Sequence, residues 1–135
     1  MSVQLSHPDG LLQQAMYAPV APATGSRLLL LAGQVAVTPA GELGATDFPG
    51  QVHSALRNVA LGVRGAGGDV SDVARLTFYV VDWTPALVEG LEEGLSRAQE
   101  SDGLSSPLPP CTVIGVQALW TPDLLVEIEA TAVLT

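Results

Sequence analysis

The segment CTVIGVQALWTPDLLVEIEATAVLT, residues 111 to 135, decides the fold because it contains two apolar strand patterns separated by a turn. In the second pattern, successive side chains fall on opposite faces of a sheet. One face carries two carboxylates, Glu127 and Glu129. A strand this apolar is expected to be central or well covered, so each acid on it is solvated, paired or functional. The other face is entirely apolar: Leu124, Val126, Ile128, Ala130, Ala132 and Leu134.

Two amphipathic helices are predicted upstream of this segment. The first begins at Asp47, the expected N-cap, and its apolar residues recur every three or four positions as far as the glycine cluster at 65–68. The second begins with Thr84 as N-cap and Pro85 at the first helical position, and it ends before Gly103. Both apolar stripes predict packing against a sheet.

The remaining strands are predicted from β-branched, aromatic and leucine-rich runs. Residues 73–81 form a strong strand pattern, and residues 27–32 form another that continues to residue 37 past a bulge at Gly33. Residues 17–20 contain a proline and are predicted to be an extended edge piece. The order strands, helix, strand, helix, strand, strand predicts an α/β fold with a mixed sheet and two helices on one of its faces.

Length and composition predict one domain spanning residues 1–135, because 135 residues supply one core but too little material for two. The chain is 47% hydrophobic and only 14% charged, which predicts that some apolar surface meets another subunit. No apolar run is long enough for a membrane helix, and the first ten residues lack a signal-peptide pattern. We therefore expect a cytoplasmic protein without a membrane partner.

Charge and residue usage exclude several functions. The net charge is −9, and all five basic residues are arginines, so a lysine Schiff base and the lysine of a phosphate-binding P-loop are excluded. The acidic balance disfavours a nucleic-acid partner, and with it ribonuclease activity. The single cysteine, Cys111, excludes an internal disulfide and a thiolate zinc cluster, and His7 and His53 alone make a poor metal site. We therefore expect no metal site.

Several short motifs occur in an order and spacing that resemble the Rid family, formerly called YjgF or endoribonuclease L-PSP. No single motif is decisive, since each is short. Together they span the chain from about residue 15 to its C-terminus. They are YAPV at 17–20, LAGQV at 31–35, Gln51, Asn58, Gly67, VARLTFYVVD at 73–82, Ala118 with Leu119, and VEIEA at 126–130.

The resemblance implies a chorismate-mutase-like fold, a homotrimer and three clefts between neighbouring subunits. It also implies hydrolysis of reactive enamines and imines, such as 2-aminoacrylate, to ketoacids and ammonia without a cofactor. In family members with the full site, an arginine at the start of the penultimate strand binds the substrate carboxylate. A strand acid positions the attacking water, and a tyrosine lines the pocket.

Carried over by position, the resemblance assigns the acid to Glu127, the tyrosine to Tyr17 and the backbone bordering the cleft to Gly33. Cys111 occupies the place of the arginine, and Thr112 occupies the small hydroxyl position after it. The chain therefore resembles the arginine-lacking branches, and its substrate need not carry a carboxylate. The expected helix asparagine is likewise replaced, by Gly90.

Alternative roles remain open for these residues. Glu127 is either the water-positioning acid or a salt-bridged surface acid, whereas Glu129 is expected to pair with Arg27 or Arg75. Cys111 is either a nucleophile or, as we favour, a small packing residue, because its neighbours supply no positive charge. Arg75 or an arginine of a neighbouring subunit is a further candidate to replace the missing one.

The aromatic residues and the histidine on the first helix also have purely structural interpretations. Tyr17 is either a site residue or core filler. Trp83 and Trp120 are expected at packing or interface positions, without a ligand cage around them. His53 is expected to face solvent or a subunit contact. At the level of the whole protein, the competing hypothesis is a trimer that binds a ligand or regulates without catalysis.

Overall fold

The computed structural model describes residues 2–135, and its centre is a four-stranded sheet. The strand order is β1-β4-β2-β3, where β1 is Arg27–Leu30, β2 is Val73–Val81, β3 is Cys111–Val116 and β4 is Val126–Leu134. β4 pairs antiparallel with β1 and with β2, whereas β2 and β3 are parallel. β4 is therefore central, as its apolar face predicted.

The two closing strands are adjacent in sequence but not in the sheet. β2 lies between β3 and β4, so the segment 117–125 passes over the end of β2 and does not form a hairpin. The prediction of two strands joined by a turn is right about the strands and incomplete about their pairing. Strand patterns specify which residues face the core, and they contain no information about which strand is the neighbour.

The faces of β4 follow the predicted alternation. Val126, Ile128 and Ala132 are fully buried, whereas Glu127 and Glu129 are partly exposed on the opposite face. Helix α1, Phe48–Gly65, and helix α2, Val88–Asp102, are the two long helices of the described residues. Both contribute to the single core that covers the apolar face, so the layers are those predicted. The shared core comprises Val52, Leu56, Val59, Leu76, Phe78, Leu91, Leu95, Val126 and Ile128.

The ends of the helices agree with the sequence signals except at one position. Asp47 caps α1 by accepting a hydrogen bond from the Gly50 N–H at 3.2 Å, and Gly103, at φ 78°, ends α2 in the left-handed conformation. Thr84 makes no capping hydrogen bond from its side chain. Pro85 begins a short 3-10 turn, so the α-helix starts only at Val88. The predicted start of the second helix was therefore three residues early.

The strand containing Gly33 has the predicted bulge but a shorter extent. The Leu31 N–H donates to the Ala130 carbonyl, and the Gln34 N–H donates to the Ile128 carbonyl. The chain therefore advances three residues on this strand while β4 advances two, which is the extra residue of a bulge. Beyond the bulge the chain leaves the sheet, and Val37 pairs with Leu43 in a separate small hairpin. The prediction that the strand continues to residue 37 is wrong. Within residues 2–135, no helix has the length and apolar character needed to cross a bilayer.

Candidate functional site

Glu127 lies on the face of β4 that points away from the helices, directly beside the backbone of Gly33. A Cβ atom placed on Gly33 would lie 2.6 Å from Cδ of Glu127, far inside van der Waals contact. Any larger residue would displace the carboxylate of Glu127, because the bulge between residues 31 and 34 brings this backbone against it. The structure thus brings together two of the five predicted site residues.

A cavity of about 720 Å³ adjoins Glu127, and we call it the Glu127 cavity. Its two walls are the small hairpin after the bulge and the segment that leads into β4. Trp120, on the second wall, is 92% exposed. Among the lining residues there is no lysine, arginine or histidine: they are Val35, Val37, Gly41, Leu43, Trp120, Thr121, Asp123, Leu124 and Glu127.

Two amide side chains of α1 hold the two walls in place. Asn58 Nδ2 donates to the carbonyls of Val35 and Val37, at 2.9 and 3.2 Å, and so fixes the hairpin wall. Gln51 is fully buried; its Nε2 donates to the Asp123 carbonyl at 2.8 Å, and its Oε1 accepts from the Leu125 N–H at 2.8 Å. A buried amide that satisfies buried backbone groups is costly to remove.

The sequence contained a signal for this arrangement. Gln51 and Asn58 are polar residues on a helix with an otherwise apolar stripe, and both belong to the motif set. A polar residue on a core-facing stripe indicates a buried hydrogen-bonding partner. Their role was missed because the partners are backbone carbonyls and an N–H of loops, which a side-chain pattern cannot identify.

The second carboxylate of β4 has a structural partner, and the first has none. Tyr79 donates its hydroxyl proton to Glu129 Oε1 at 2.7 Å, and this hydrogen bond raises the pKa of Tyr79 above its usual value. Within residues 2–135, Glu127 makes no ion pair and no side-chain hydrogen bond. The expectation that Glu129 pairs with Arg27 or Arg75 is wrong: within residues 2–135 Glu129 makes no ion pair, and its hydrogen-bonding partner is Tyr79.

Arg75 lies beside the position of the missing arginine but outside the Glu127 cavity. Its Nη2 donates to Thr112 Oγ1 at 2.9 Å, so Thr112, which is exposed, is held by this guanidinium. Thr112 is aligned with Thr77 on the face of the sheet that points away from the helices. Arg75 is not among the residues that line the cavity.

Cys111 points to the other side of the sheet. It is aligned with Leu76, which is fully buried beneath the helices, and it packs against the core. Burial raises the pKa of the Cys111 thiol to about 11, although the nearby Arg75 charge opposes this. The thiol is therefore protonated at neutral pH, which favours the packing role over the nucleophile.

Tyr17 lies near Cys111 and not with the Glu127 group. The Ala18 N–H donates to the Leu108 carbonyl, and the Leu108 N–H donates to the Met16 carbonyl, both at 2.8 Å, so Tyr17 pairs with Leu108 just before β3. Its side chain is partly buried against the core.

The five predicted site residues therefore fall into two groups within one chain. Glu127 and Gly33 form one group, and Tyr17, Cys111 and Thr112 form the other. β2 separates β4 from β3, which places the two strands about 10 Å apart. Cys111 also faces the opposite side of the sheet from Glu127.

Gly90 has a packing reason for lacking the expected amide. A Cβ on Gly90 would lie 3.1 Å from the ring of Phe48, at the first turn of α1. A side chain there would require the Phe48 ring to shift by a few tenths of an ångström, so Gly90 allows close contact between the helices. Across the described residues, no group of three or more His, Cys, Asp or Glu residues is arranged to hold a metal.

A mixed four-stranded sheet with two helices on one face, and a strand acid against a glycine bulge, define a class of small α/β proteins. The sequence model described as Endoribonuclease L-PSP matches residues 12–134. The chain belongs to this family, also known as the Rid or YjgF family, and has its fold.

Solved structures of relatives extend this assignment. The Rid-family protein YyfB of Yersinia pestis, described as of unknown function, is 34% identical, with 99% of this chain and 100% of that chain covered and a TM-score of 0.85. Rv2704 of Mycobacterium tuberculosis is 28% identical, with 87% and 86% covered and a TM-score of 0.62. TdcF of E. coli with bound serine is 25% identical, with 96% and 92% covered and a TM-score of 0.69. No curated protein matches the chain.

Proposed function

We propose that this protein is a cofactor-independent hydrolase of reactive imines or enamines, with Glu127 as the acid that positions and deprotonates water. The observation that carries the proposal is the state of Glu127: it is partly buried, has no partner among residues 2–135, and lines a cavity of about 720 Å³. A carboxylate held without a partner beside a cavity is available to a bound water or ligand.

The reaction needs one carboxylate and one water. Glu127 accepts a proton from water as the water oxygen bonds to the carbon of the C=N group, which gives a carbinolamine. Protonation of the nitrogen then allows the C–N bond to break, which releases ammonia or an amine and leaves the carbonyl product. Proton transfer by a positioned group contributes about 10² to 10⁴ in rate.

We propose further that the substrate lacks a carboxylate. The arginine position holds a partly buried, protonated thiol, and the Arg75 guanidinium is hydrogen-bonded to Thr112 outside the cavity. Loss of a charge-assisted pair with a substrate carboxylate costs about 2 to 5 kcal/mol in a desolvated site. TdcF, whose structure contains bound serine, shows that a relative takes an amino acid, and we expect this chain to differ in that respect.

A homotrimer with clefts between subunits would complete the site. Tyr17 and Thr112 of one subunit would then face Glu127 and Gly33 of another, which would explain why one chain keeps the two groups apart, whereas the Cys111 side chain would stay packed in its own core. The exposed leucines of β1, Leu28 at 68% and Leu30 at 70%, supply apolar surface that association can bury. Light scattering is expected to give three times the 13.9 kDa chain mass; a single-chain mass would contradict the trimer.

The central test compares the two carboxylates of β4. Imines of neutral ketones and 2-aminoacrylate generated in situ from serine are supplied as substrates. Glu127→Gln is expected to lower hydrolysis of the neutral imines by about a hundredfold or more. Glu129→Gln, the matched control on the same strand face, is expected to keep activity within a few-fold. Full activity in Glu127→Gln would remove Glu127 from the mechanism.

The alternative function is a trimer that binds a ligand or regulates without catalysis. The observation that favours it is the loss of two polar groups of the family site, at Cys111 and at Gly90, both to packing. The same assay separates the two functions. Ligand binding without hydrolysis of any supplied imine would favour the alternative.

A further inference from the structure

We propose that Thr112 of one subunit, held by Arg75 of the same subunit, donates a hydrogen bond to the substrate nitrogen in the Glu127 cavity of a neighbouring subunit. This inference rests on the proposed function, because it takes the Glu127 cavity as the site of hydrolysis and the trimer as the assembly. It fills a need of the reaction that Glu127 leaves unmet. Glu127 positions the water and takes its proton, but the C=N group must also be polarised for water to attack its carbon.

The hydrogen bond between Arg75 and Thr112 leaves the threonine proton free. Arg75 Nη2 donates to Thr112 Oγ1 at 2.9 Å. A hydroxyl has one proton to donate and two lone pairs, so a hydroxyl that accepts from a guanidinium still has its own proton to donate. Within residues 2–135 the Thr112 side chain makes no other hydrogen bond, and Thr112 is exposed. Its proton is therefore available to a group outside the chain.

The charge of Arg75 makes this hydroxyl a stronger donor. Within residues 2–135 the Arg75 guanidinium makes no ion pair, so no carboxylate in direct contact cancels its charge. Hydrogen bonds in a chain polarise one another, and those with an ionised partner are the stronger ones. A fixed donor aimed at an atom where negative charge develops stabilises the transition state. Arg75 acts through Thr112 and is therefore a positioning residue.

Arg75 and Thr112 lie on the same sheet face as Glu127. Alternate residues of β2 point to this face, and among them Thr77 is aligned with Thr112 and Tyr79 with Glu127. Within one chain β2 separates β3 from β4, so the two side chains are about 10 Å or more apart and do not reach the same C=N group. Thr112 is also absent from the lining of its own Glu127 cavity. The proposed trimer would bring Thr112 to the cavity of another subunit instead.

The proposed reaction balances with water as its only co-reactant. The water oxygen bonds to carbon while Glu127 takes a water proton and the π electrons of the C=N bond move to nitrogen. Thr112 donates a hydrogen bond to that nitrogen and keeps its proton, and Glu127 passes its proton to the nitrogen, which gives R₂C(OH)NHR′. The hydroxyl proton then reaches nitrogen through Glu127, and the C–N bond breaks with its electron pair on nitrogen. The products are R₂C=O and R′NH₂.

The first test compares variants of the full chain on imines of neutral ketones. Thr112→Val removes the hydroxyl at nearly constant volume and is expected to lower kcat about tenfold to a hundredfold with little change in KM, because the donor acts mainly in the transition state. Thr112→Ser keeps a hydroxyl and is expected to stay within a few-fold of the unmodified protein. Thr131→Val, the same substitution on the same sheet face two strands away, is the control and is expected to leave kcat unchanged. Full activity in Thr112→Val, or an equal loss in Thr112→Ser, would overturn the role of Thr112.

A double-mutant cycle tests whether Arg75 acts through Thr112. Arg75→Gln is expected to lower kcat, and Arg75→Lys to restore part of the loss because lysine also donates and carries a positive charge. In a Thr112→Val background, Arg75→Gln is expected to cause little further loss, since the group it acts on is already absent. Losses that multiply in the double variant would overturn the positioning role.

Mixed trimers test whether the two groups come from different subunits. Thr112→Val chains and Glu127→Gln chains are co-expressed in equal amounts, and the mixed trimers are purified. Where a Glu127→Gln chain supplies Thr112 to the cavity of a Thr112→Val chain, an intact site forms, so random mixing is expected to restore about one quarter of the sites. A site built within one chain would regain nothing. No recovery above the parent variants would overturn the inference.

Failure of this inference is distinguishable from failure of the proposed function. Loss of hydrolysis in Glu127→Gln together with full activity in Thr112→Val would overturn the role of Thr112 alone. Full activity in Glu127→Gln, or hydrolysis of none of the imines by the unmodified protein, would overturn the proposed function and this inference with it.

Discussion

The two groups of candidate site residues differ in what surrounds them. At the Glu127 end, a carboxylate with no side-chain partner among residues 2–135 faces a cavity whose walls are fixed by Asn58 and Gln51. At the Cys111 end, the side chain that stands in the arginine position is turned into the core and carries a proton at neutral pH. One end holds the carboxylate of the proposed site, and the other end is part of the packing.

This contrast shows that substitution of a site residue alters more than one contact. An arginine at the start of β3 would need room and solvent for its guanidinium, whereas Cys111 lies level with the fully buried Leu76. Gly90 shows the same trend, since a Cβ there would lie 3.1 Å from the ring of Phe48. The proposed hydrolysis therefore depends on the Glu127 end of this chain.

After the loss of the Glu127 carboxylate itself, the largest expected effect comes from adding one methyl group beside it. Gly33→Ala places a Cβ atom 2.6 Å from Cδ of Glu127, so either the carboxylate or the bulge has to move. A displacement of about 1 Å in a catalytic group can cost about a hundredfold in rate, and we expect a loss of that size in imine hydrolysis. Gly65→Ala, where a Cβ meets nothing within 4 Å, is the control. Normal activity in Gly33→Ala would show that this contact does not matter.

The next effect concerns the thiol at the Cys111 end. With its pKa raised to about 11 by burial, Cys111 is expected to react with iodoacetamide at pH 8 roughly tenfold to a hundredfold more slowly than an exposed cysteine of a peptide. A raised pKa keeps the thiol protonated below it, so the rate is expected to climb as the pH rises toward 11. The protein unfolded in urea is the control and is expected to react normally. Rapid alkylation of the folded protein at pH 8 would make Cys111 a candidate nucleophile again.

A third prediction tests the brace behind the cavity wall. Gln51→Leu leaves the Leu125 N–H and the Asp123 carbonyl without their partner, and we expect a loss of about 1 to 3 kcal/mol in the free energy of unfolding. Urea unfolding measures this loss, and imine hydrolysis is expected to fall with it. Gln13→Leu is the control, because Gln13 is exposed and its side chain donates hydrogen bonds to the nearby carbonyls of Pro8 and Leu11. Equal stability of the two variants would contradict the bracing role of Gln51.

The sequence predicted the layers and the strand faces well because burial patterns record which side chains leave water. β2 at residues 73–81, the Asp47 cap and the bulge at Gly33 were predicted and are confirmed. The parallel pairing of β3 with β2 was not, because register and neighbours depend on contacts distant in sequence.

The candidate site was predictable only as a set of residues. Motif order assigned Glu127, Tyr17 and Gly33, but the sequence could not show that Glu127 and Tyr17 belong to separate groups. The predicted partner of Glu129 was also wrong. A count of charges favours an arginine, whereas in the structure Glu129 accepts a hydrogen bond from Tyr79. Hydrogen bonds between neutral and charged groups leave no signal in a count of charges.

The smallest effect tests whether Glu129 is structural, which the contrast between the two carboxylates requires. In a Tyr17→Phe background Tyr79 is the only tyrosine, so absorbance near 295 nm follows its ionisation alone. The hydrogen bond to Glu129 raises the pKa of Tyr79, and burial and the Glu129 charge raise it as well. We expect the midpoint of Tyr79 ionisation above the ordinary value of about 10. Glu129→Gln removes the charge that disfavours the phenolate, so the midpoint is expected to fall, whereas Glu127→Gln is expected to change it less because Glu127 makes no hydrogen bond to Tyr79. Equal shifts in the two variants would mean that the two acids act as one electrostatic unit, and the assignment of catalysis to Glu127 and structure to Glu129 would then be wrong.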